Sequence, residues 1–372
     1  MRIAFYAPMK SPDHPTPSGD RSFARLIVSA LKKSGHEVTL ASHFRSYDRY
    51  GQRWSAIALK ARYARARAIR KLMKKPPDVW FTYHLYHKAP DLIGPALSDY
   101  FCIPYVVADA SYAAKQTSGP WAPGFAEAKS AILRANKLIC FDPLDANSLF
   151  HNLMCGHKLF MMPPFVRQRK ITSSMREKAR QRLSKTLKLP IHIPWVVTVA
   201  MMRNDIKAES YKLLADCALK LRHQKWALLI AGDGLARNKV EGWFKGIDNI
   251  RFLGTLFGSS LSELYAAGDF TAWPALKEGC SMALLEAAAS GLPVLAGKRP
   301  GLEQFVQNGA SGYLCQEGEL TDFEYHFRLL LSDPHHCKNL SAESTHRISN
   351  HHSLGAAAKK LNWVLSQLQV ER

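Results

Sequence analysis

Short apolar runs alternate with longer stretches of helical spacing along this 372-residue chain, and the alternation is played twice. Residues 3–7, 37–41, 78–82, 103–108 and 137–141 read as strands. Between the first two, apolar residues at 23, 26, 27, 30 and 31 keep helical spacing, and Gly35 closes that helix as a C-terminal cap. Strands alternating with helices at this pitch predict βαβ units and a parallel sheet. The rhythm breaks over 167–194, where Arg167-Gln-Arg-Lys170, a basic helical segment at 175–188, Pro190 and Pro194 mark an interdomain connection. It restarts with strands at 196–200, 226–231, 250–253, 270–273 and 292–295 and a helix near 210–222. The expected fold class is α/β: two Rossmann-like, doubly wound parallel-sheet domains, 1–166 and 195–352, facing a central cleft. A C-terminal helix at 353–372 is expected to pack back onto the first domain. Ligands of such sheets sit at the carboxyl ends of the strands, so the loops there are the ones to search.

Composition narrows the classes. Hydrophobic residues at 47 % and charged residues at 22 % exclude a disordered or fibrous chain. No apolar run reaches the ~18 residues of a spanning helix, and the apolar start is too short for a signal-peptide core, so a cytoplasmic location is expected. The cysteines at 102, 140, 155, 217, 280, 315 and 337 form no Cys-x-x-Cys pair and read as reduced thiols. Charge is the unusual quantity. Residues 1–170 hold 26 basic and 11 acidic side chains, a balance of +15, whereas 171–372 hold 25 and 19, a balance of +6. Such a field attracts polyanions: nucleic acid, anionic lipid or a phosphorylated substrate.

The most informative stretch is Trp273-Pro-Ala-Leu-Lys-Glu-Gly-Cys-Ser-Met-Ala-Leu-Leu-Glu-Ala-Ala-Ala-Ser-Gly-Leu-Pro-Val-Leu-Ala296. A strand ends at Trp273, Ser281 is a good N-cap, strong helix formers follow, and Gly291 and Pro293 stop the helix. Free N–H groups from Cys280 to Ala283 would favour an anion such as a diphosphate. Glu278 before the helix and Glu286 one turn inside it can accept hydrogen bonds from sugar hydroxyls. Glu278 also suits the helix macrodipole, and Glu286 also suits an ordinary exposed face.

With its Ser-Gly-Leu-Pro-Val tail, this spacing resembles the donor-site signature of the family 4 retaining glycosyltransferases (glycosyl transferases group 1), which have the GT-B fold. Pro300-Gly-Leu-Glu303 and Asn308-Gly-Ala-Ser-Gly-Tyr-Leu314 resemble that family's next two landmarks. The resemblance implies that Glu286 contacts the nucleotide ribose, Glu278 the donor sugar, and the backbone of Gly279, Cys280, Ser281 and Met282 the diphosphate. The family usually has Gly where Ser281 stands.

Arg203 and Lys207 follow the strand at 196–200, where two cations can neutralise a diphosphate leaving group. The family carries an Arg and a Lys in this loop, one residue further apart; solvated surface cations are the bland reading of both. Gly232 and Asp233 of the Gly-Asp-Gly turn, and Leu253 in Phe252-Leu-Gly254, resemble the family's turn and pocket around the base. Gly19 and Arg21, in Pro17-Ser-Gly-Asp-Arg-Ser-Phe23, stand where the family's Gly-rich loop meets the diphosphate. Asp109 is the candidate for the group near the transferred sugar, with His84 and His87 as acceptor-side candidates; a loop cap and structural histidines are their plain alternatives. No Asp-x-Asp and no metal-spaced His/Cys/Asp cluster occurs, so no metal and no cofactor is expected beyond the nucleotide-sugar substrate.

Residues 45–75 hold eleven Lys/Arg and one Asp, with apolar residues at near-helical spacing. This is either a surface helix with a solvated face or a contact for anionic lipid. The reading is therefore a sugar transferase acting on a glycan or lipid-linked acceptor in surface-polysaccharide, lipopolysaccharide or glycolipid synthesis. Its rivals are a GT-B nucleotide-sugar epimerase and a basic membrane- or nucleic-acid-binding module; without a zinc finger, RNA-binding aromatic motif or basic tail, nucleic acid is not favoured.

Overall fold

Every strand pairing in both sheets is parallel, because each strand is followed by a crossover that returns the chain to the same end. The computed structural model describes residues 1–16, 18–168 and 171–370; Pro17 of the first loop and Arg169 and Lys170 of the expected connection lie outside them. By contact the chain divides into Met1–Pro164 together with the segment from Leu354, and Phe165–Ser353.

In the first unit the chain runs β1 (Arg2–Tyr6), α1 (Gly19–Lys33), β2 (Glu37–Leu40), α2 (Trp54–Met73), β3 (Val79–Leu85), α3 (Gly94–Tyr100), β4 (Tyr105–Ala110), α4 (Ala122–Arg134), β5 (Lys137–Cys140), α5 (Pro143–Leu153) and β6 (Leu159–Met161). The sheet order is β2-β1-β3-β4-β5-β6, so the chain reverses direction across the sheet between β1 and β3. Its core joins Tyr6, Trp80, Tyr105, Val107, Ile132 and Leu138.

The second unit runs α6 (Ser173–Leu187), β7 (Trp195–Val199), α7 (Ile206–Lys220), β8 (Ala227–Ala231), α8 (Arg237–Trp243), β9 (Ile250–Phe252), α9 (Gly258–Ala267), β10 (Phe270–Trp273), α10 (Met282–Ala289), β11 (Val294–Gly297), α11 (Pro300–Glu303), β12 (Gly312–Cys315), α12 (Leu320–Ser332) and α13 (Pro334–His351). Its sheet order, β12-β11-β10-β7-β8-β9, is the Rossmann order with the switch between β7 and β10. Last comes α14 (Leu354–Val370), which returns to the first unit, where the Ser34 hydroxyl donates to the Ala358 carbonyl at 2.7 Å.

The boundary differs from the sequence expectation. The second unit begins at Phe165, and within the expected connection α6 is packed into that unit. Ala179 is buried with Trp195 and Leu264, and Arg180 reaches the Ala267 carbonyl and Asp269. The polar, basic composition of α6 hid this, because its inward face is narrow and its arginines bond to backbone carbonyls. The short strands β6 and β12 also lay below what apolar patterning shows, and α1 starts four residues before its apolar stripe.

Candidate functional site

At the switch between β7 and β10, the loops after the two strands carry Arg203 and Glu278, and the first turn of α7 carries Lys207. Asp205 caps α7 by accepting from the Lys207 N–H at 2.9 Å, which fixes the start of the helix bearing Lys207. The Lys207 ammonium then lies 2.6 Å from Glu278 Oε1 and 5.6 Å from the centre of the Trp273 ring. The same carboxylate oxygen accepts from the Trp273 indole N–H at 2.8 Å. Arg203 is exposed; its Nη2 contacts Met201 Sδ and pairs with no carboxylate among the described residues.

The loop from Pro274 to Ser281 is held from four sides. The Leu276 N–H donates to Ser210 Oγ, the Lys277 N–H to Glu317, and Arg299 Nε to the Glu278 carbonyl, while the Gly297 N–H donates to the Pro274 carbonyl. Arg299 also pairs with Glu317 at 2.8 Å. Ala275 and Lys277 both take left-handed backbone conformations, a strain that these braces sustain. None of Ser210, Arg299 and Glu317 was singled out from sequence: Ser210 is a buried polar residue inside α7, and Arg299 and Glu317 are polar residues in loops at the carboxyl edge.

Ser281 occupies the N-cap position of α10, but its side chain makes no capping bond, and the first turn carries no acidic residue. The first-turn N–H groups are thus left to a ligand or to water. Gly279, exposed, and Cys280 and Met282, half-buried, flank that opening. One turn on, Glu286 has no hydrogen bond or ion pair to its carboxylate among the described residues, and burial pushes its pKa up to about 7. Its neighbour Tyr265 is fully buried with its hydroxyl donating to the Ala283 carbonyl at 3.1 Å.

The Gly232-Asp-Gly234 turn after β8 buttresses the β7–α7 loop. A Cβ on Gly232 would fall on the Ala200 carbonyl, and the Met202 N–H donates to the Asp233 carbonyl at 3.0 Å. Asp233 itself turns outward to Arg237 at 3.1 Å. Leu253, just past β9, is half-buried beside β8, its N–H donating to the Ile230 carbonyl at 2.8 Å. The candidate residues of this unit therefore share the carboxyl edge of one sheet.

In the first unit, His84 on β3 and Asp109 on β4 are brought together. The strands pair at Tyr83 with Ala108 and at Leu85 with Ala110, so the two residues fall opposite each other, and both are left-handed. His84 Nδ1 lies 3.4 Å from Asp109 Oδ2 and 3.3 Å from Oδ1 of Asp20, the second residue of α1. Burial pushes the His84 pKa down, but Asp20 and Asp109 outweigh it and hold it above the usual value. Burial raises Asp109, and it lifts nearby Asp145 to about 6. Asp20 and Asp145 were missed; only Asp20's place just inside the helix after the first strand pointed to it. His87 does not join this group: its ring meets Tyr86 and Trp121. Gly19 opens α1 with free space where a Cβ would sit, and Ser18 caps the helix by accepting from the Arg21 N–H at 3.2 Å. The Arg21 Nε is buried without a hydrogen-bond partner.

One set of side chains with metal-ligating atoms converges among the described residues, Cys315, Asp322 and His326. Its spacing, Cys-x6-Asp-x3-His, was not one recognised in the sequence. His326 Nδ1 sits 3.0 Å from the Asp322 carbonyl, and burial raises the Cys315 thiol above its ordinary range, so a hydrogen-bonded thiol and imidazole account for the set.

Residues 193–333 match the family model described as glycosyl transferases group 1. The second unit carries a glycosyl transferases group 1 domain. Over 128 residues the chain is 35 % identical to sulfoquinovosyl transferase SQD2 of Arabidopsis thaliana, covering 34 % of this chain and 24 % of that one. Several curated relatives, SQD2 among them, are spanned over only 24–40 % of their length. The whole chain is similar to sucrose-phosphate synthase from Thermosynechococcus elongatus, with TM-score 0.76, 17 % identity and 100 % of both chains covered. It is also similar to Anabaena HepE in complex with UDP-glucose, with TM-score 0.72, 15 % identity, and coverage of 99 % and 100 %. The two parallel sheets and their flanking helices match the GT-B fold of these structures, and the stretch matched by the family model holds Lys207, Glu278 and Glu286. Among the described residues, no helix is long and apolar enough to cross a membrane.

Proposed function

We propose that the protein transfers a sugar from a nucleotide-diphosphate donor to an acceptor hydroxyl as a family 4 retaining glycosyltransferase. The observation that carries this reading is Glu286: a mostly buried carboxylate without a partner among the described residues, one turn inside a helix whose N-cap side chain makes no capping bond. A carboxylate so placed accepts from two vicinal ribose hydroxyls, while the helix N-terminus takes the diphosphate. Glu278 orients the sugar. Lys207 and Arg203 supply positive charge where the bond from the anomeric carbon to the diphosphate oxygen breaks, which stabilises the departing phosphate. Leu253, Gly232 and Asp233 border the base, and Gly19 and Arg21 of the first unit are assigned to the diphosphate.

The acceptor oxygen forms the new bond on the face that the leaving group vacates, and its proton passes to the diphosphate or solvent. Asp109 and His84 are assigned to the transferred sugar and acceptor, with His87 further out on the acceptor side. With two cations and a helix N-terminus at the diphosphate, transfer is expected to persist in chelator, and no cofactor is required. The acceptor is a glycan or lipid-linked hydroxyl in surface-polysaccharide, lipopolysaccharide or glycolipid synthesis on the cytoplasmic side.

Calorimetry with UDP, ADP and GDP and their sugars is the test. One nucleotide series should bind the wild type, and Glu286→Ala should weaken it by at least tenfold without unfolding the protein. Unchanged affinity in that variant would remove the ribose role. Incubating the donor alone distinguishes transfer from epimerisation, since an epimerase needs no acceptor.

A further inference from the structure

Helix α2 buries Ile57, Ala61, Ala68 and Leu72 against the first unit. The stripe at 59, 63, 66, 70 and 73 follows the spacing of a single helix face, and it carries Leu59, Tyr63, Ala66, Arg70 and Met73. Leu59 is 54 % exposed, Tyr63 66 % and Met73 58 %. Tyr100 at the end of α3, 55 % exposed, extends this stripe by donating its hydroxyl to Met73 Sδ at 3.9 Å.

Cations flank it without carboxylates. The helix holds no Asp or Glu, and Lys60, Arg62, Arg67 and Arg70 are exposed with no ion pair among the described residues. Three other cations of the segment are engaged elsewhere: Arg65 donates to the Leu92 carbonyl, Lys71 to the Leu40 carbonyl, and Lys75 pairs with Glu37. The single acid of the segment, Asp48, is buried and accepts from the N–H groups of Tyr50, Gly51 and Arg53, so its charge is spent on the turn before the helix.

From this face we infer that α2 is a docking surface for an anionic lipid bilayer. The stripe from Leu59 to Met73 is roughly 21 Å long at 1.5 Å per residue, a length that lies in the plane of a membrane rather than across it. Leu59, Tyr63 and Met73 enter the headgroup boundary, while the four cations, on long aliphatic stems, reach the phosphates around them. A nucleic acid would satisfy the cations but has no use for three protruding apolar side chains along the same line. The inference is independent of the donor reading, because every residue in it lies on α2 or α3.

The test is flotation of the full chain with phosphatidylcholine vesicles, with and without phosphatidylglycerol. Binding is expected only to the anionic vesicles. Two variants separate the contributions: K60Q/R62Q/R67Q/R70Q, which keeps the apolar stripe, and L59S/Y63S/M73S, which keeps the charge. Each should lower the bound fraction by roughly tenfold or more, with the circular-dichroism spectrum, thermal midpoint and nucleotide affinity unchanged. Equal binding to neutral vesicles, or no binding to either, overturns the proposal. So does a charge variant that floats as well as the wild type. If the apolar variant binds normally and RNA displaces the wild type at comparable concentration, the surface is a general polyanion site and the lipid assignment fails.

Discussion

Lys207 Nζ stands 2.6 Å from Glu278 Oε1, joining the loop after β7 to the loop after β10 across the switch point of the second sheet. Both side chains are largely shielded, at 22 % and 12 % exposure, and the Trp273 indole donates to the same oxygen. The pair therefore holds the charge of a cation and the acceptor capacity of a carboxylate ready within one small volume.

Replacing Lys207 by Met leaves that carboxylate shielded with only the indole to satisfy it. The expected cost is about 1–3 kcal/mol of stability, because an orphaned shielded charge costs more than the pair contributes. In a double-mutant cycle with Glu278→Gln, urea denaturation should give a coupling of about 1 kcal/mol or more. Additive losses would mean that the contact carries no energy. Transfer rate should fall about 100-fold in Lys207→Met, because the proposed function assigns this cation to the leaving diphosphate.

How much of this was legible beforehand follows from where each signal resides. Glu278 and Glu286 are eight residues apart on one strand–loop–helix unit, so their placement at the carboxyl edge came from local chemistry alone. The Lys207–Glu278 contact joins residues 71 apart and depends on β7 lying beside β10, which no local pattern encodes. The same holds for the Arg299–Glu317 brace and for Asp20 beside His84: ordinary surface-type residues in sequence, they become site residues only once strand order is known. Helix α6 misled for a related reason, Arg176 and Arg180 being committed to backbone carbonyls of distant segments instead of to solvent.

Glu286 makes stability depend on pH in a definite direction. Its folded pKa, about 7, lies above the ordinary glutamate value of 4.5. Below 4.5 the group is protonated in both states and the stabilisation is complete. Between 4.5 and 7 the folded state binds the extra proton, so stability falls as pH rises, by about 3 kcal/mol across that window. Glu286→Gln, neutral throughout, should remove this slope and be more stable than the wild type above pH 7. Thermal midpoints from pH 4 to 8 measure it; parallel curves for the two proteins would contradict the buried-carboxylate account.

Gly297 is fixed by packing. A Cβ there would overlap the Pro274 carbonyl, which accepts from the Gly297 N–H at 3.1 Å. Gly297→Ala should cost roughly 2–4 kcal/mol by forcing β11 from the loop that carries Glu278. Gly242→Ala in α8, with open space around its Cβ, should instead be neutral or stabilise by up to ~1 kcal/mol. Nucleotide affinity should fall in the first variant and hold in the second, and an equal response in both would detach the loop geometry from binding.

The His84 cluster makes the remaining prediction. Burial alone would leave this imidazole neutral, yet Asp20 and Asp109, 3.3 Å and 3.4 Å from Nδ1, keep its pKa above the ordinary value. A histidine raised in the folded state stabilises it fully below the unfolded pKa, and that stabilisation is lost as pH rises through the folded pKa. Asp109→Asn removes one of the two carboxylates while keeping the side-chain shape. The His84 titration, followed by the imidazole proton resonance, should move to lower pH, and the stability lost on raising pH through neutrality should shrink with it. Transfer in Asp109→Asn should drop about 100-fold or more at neutral pH while nucleotide affinity holds, because the group belongs to the first unit and not to the donor edge. A titration that stays put would show that Asp20 alone sets the charge of His84, and that the opposed left-handed pair on β3 and β4 serves backbone geometry only.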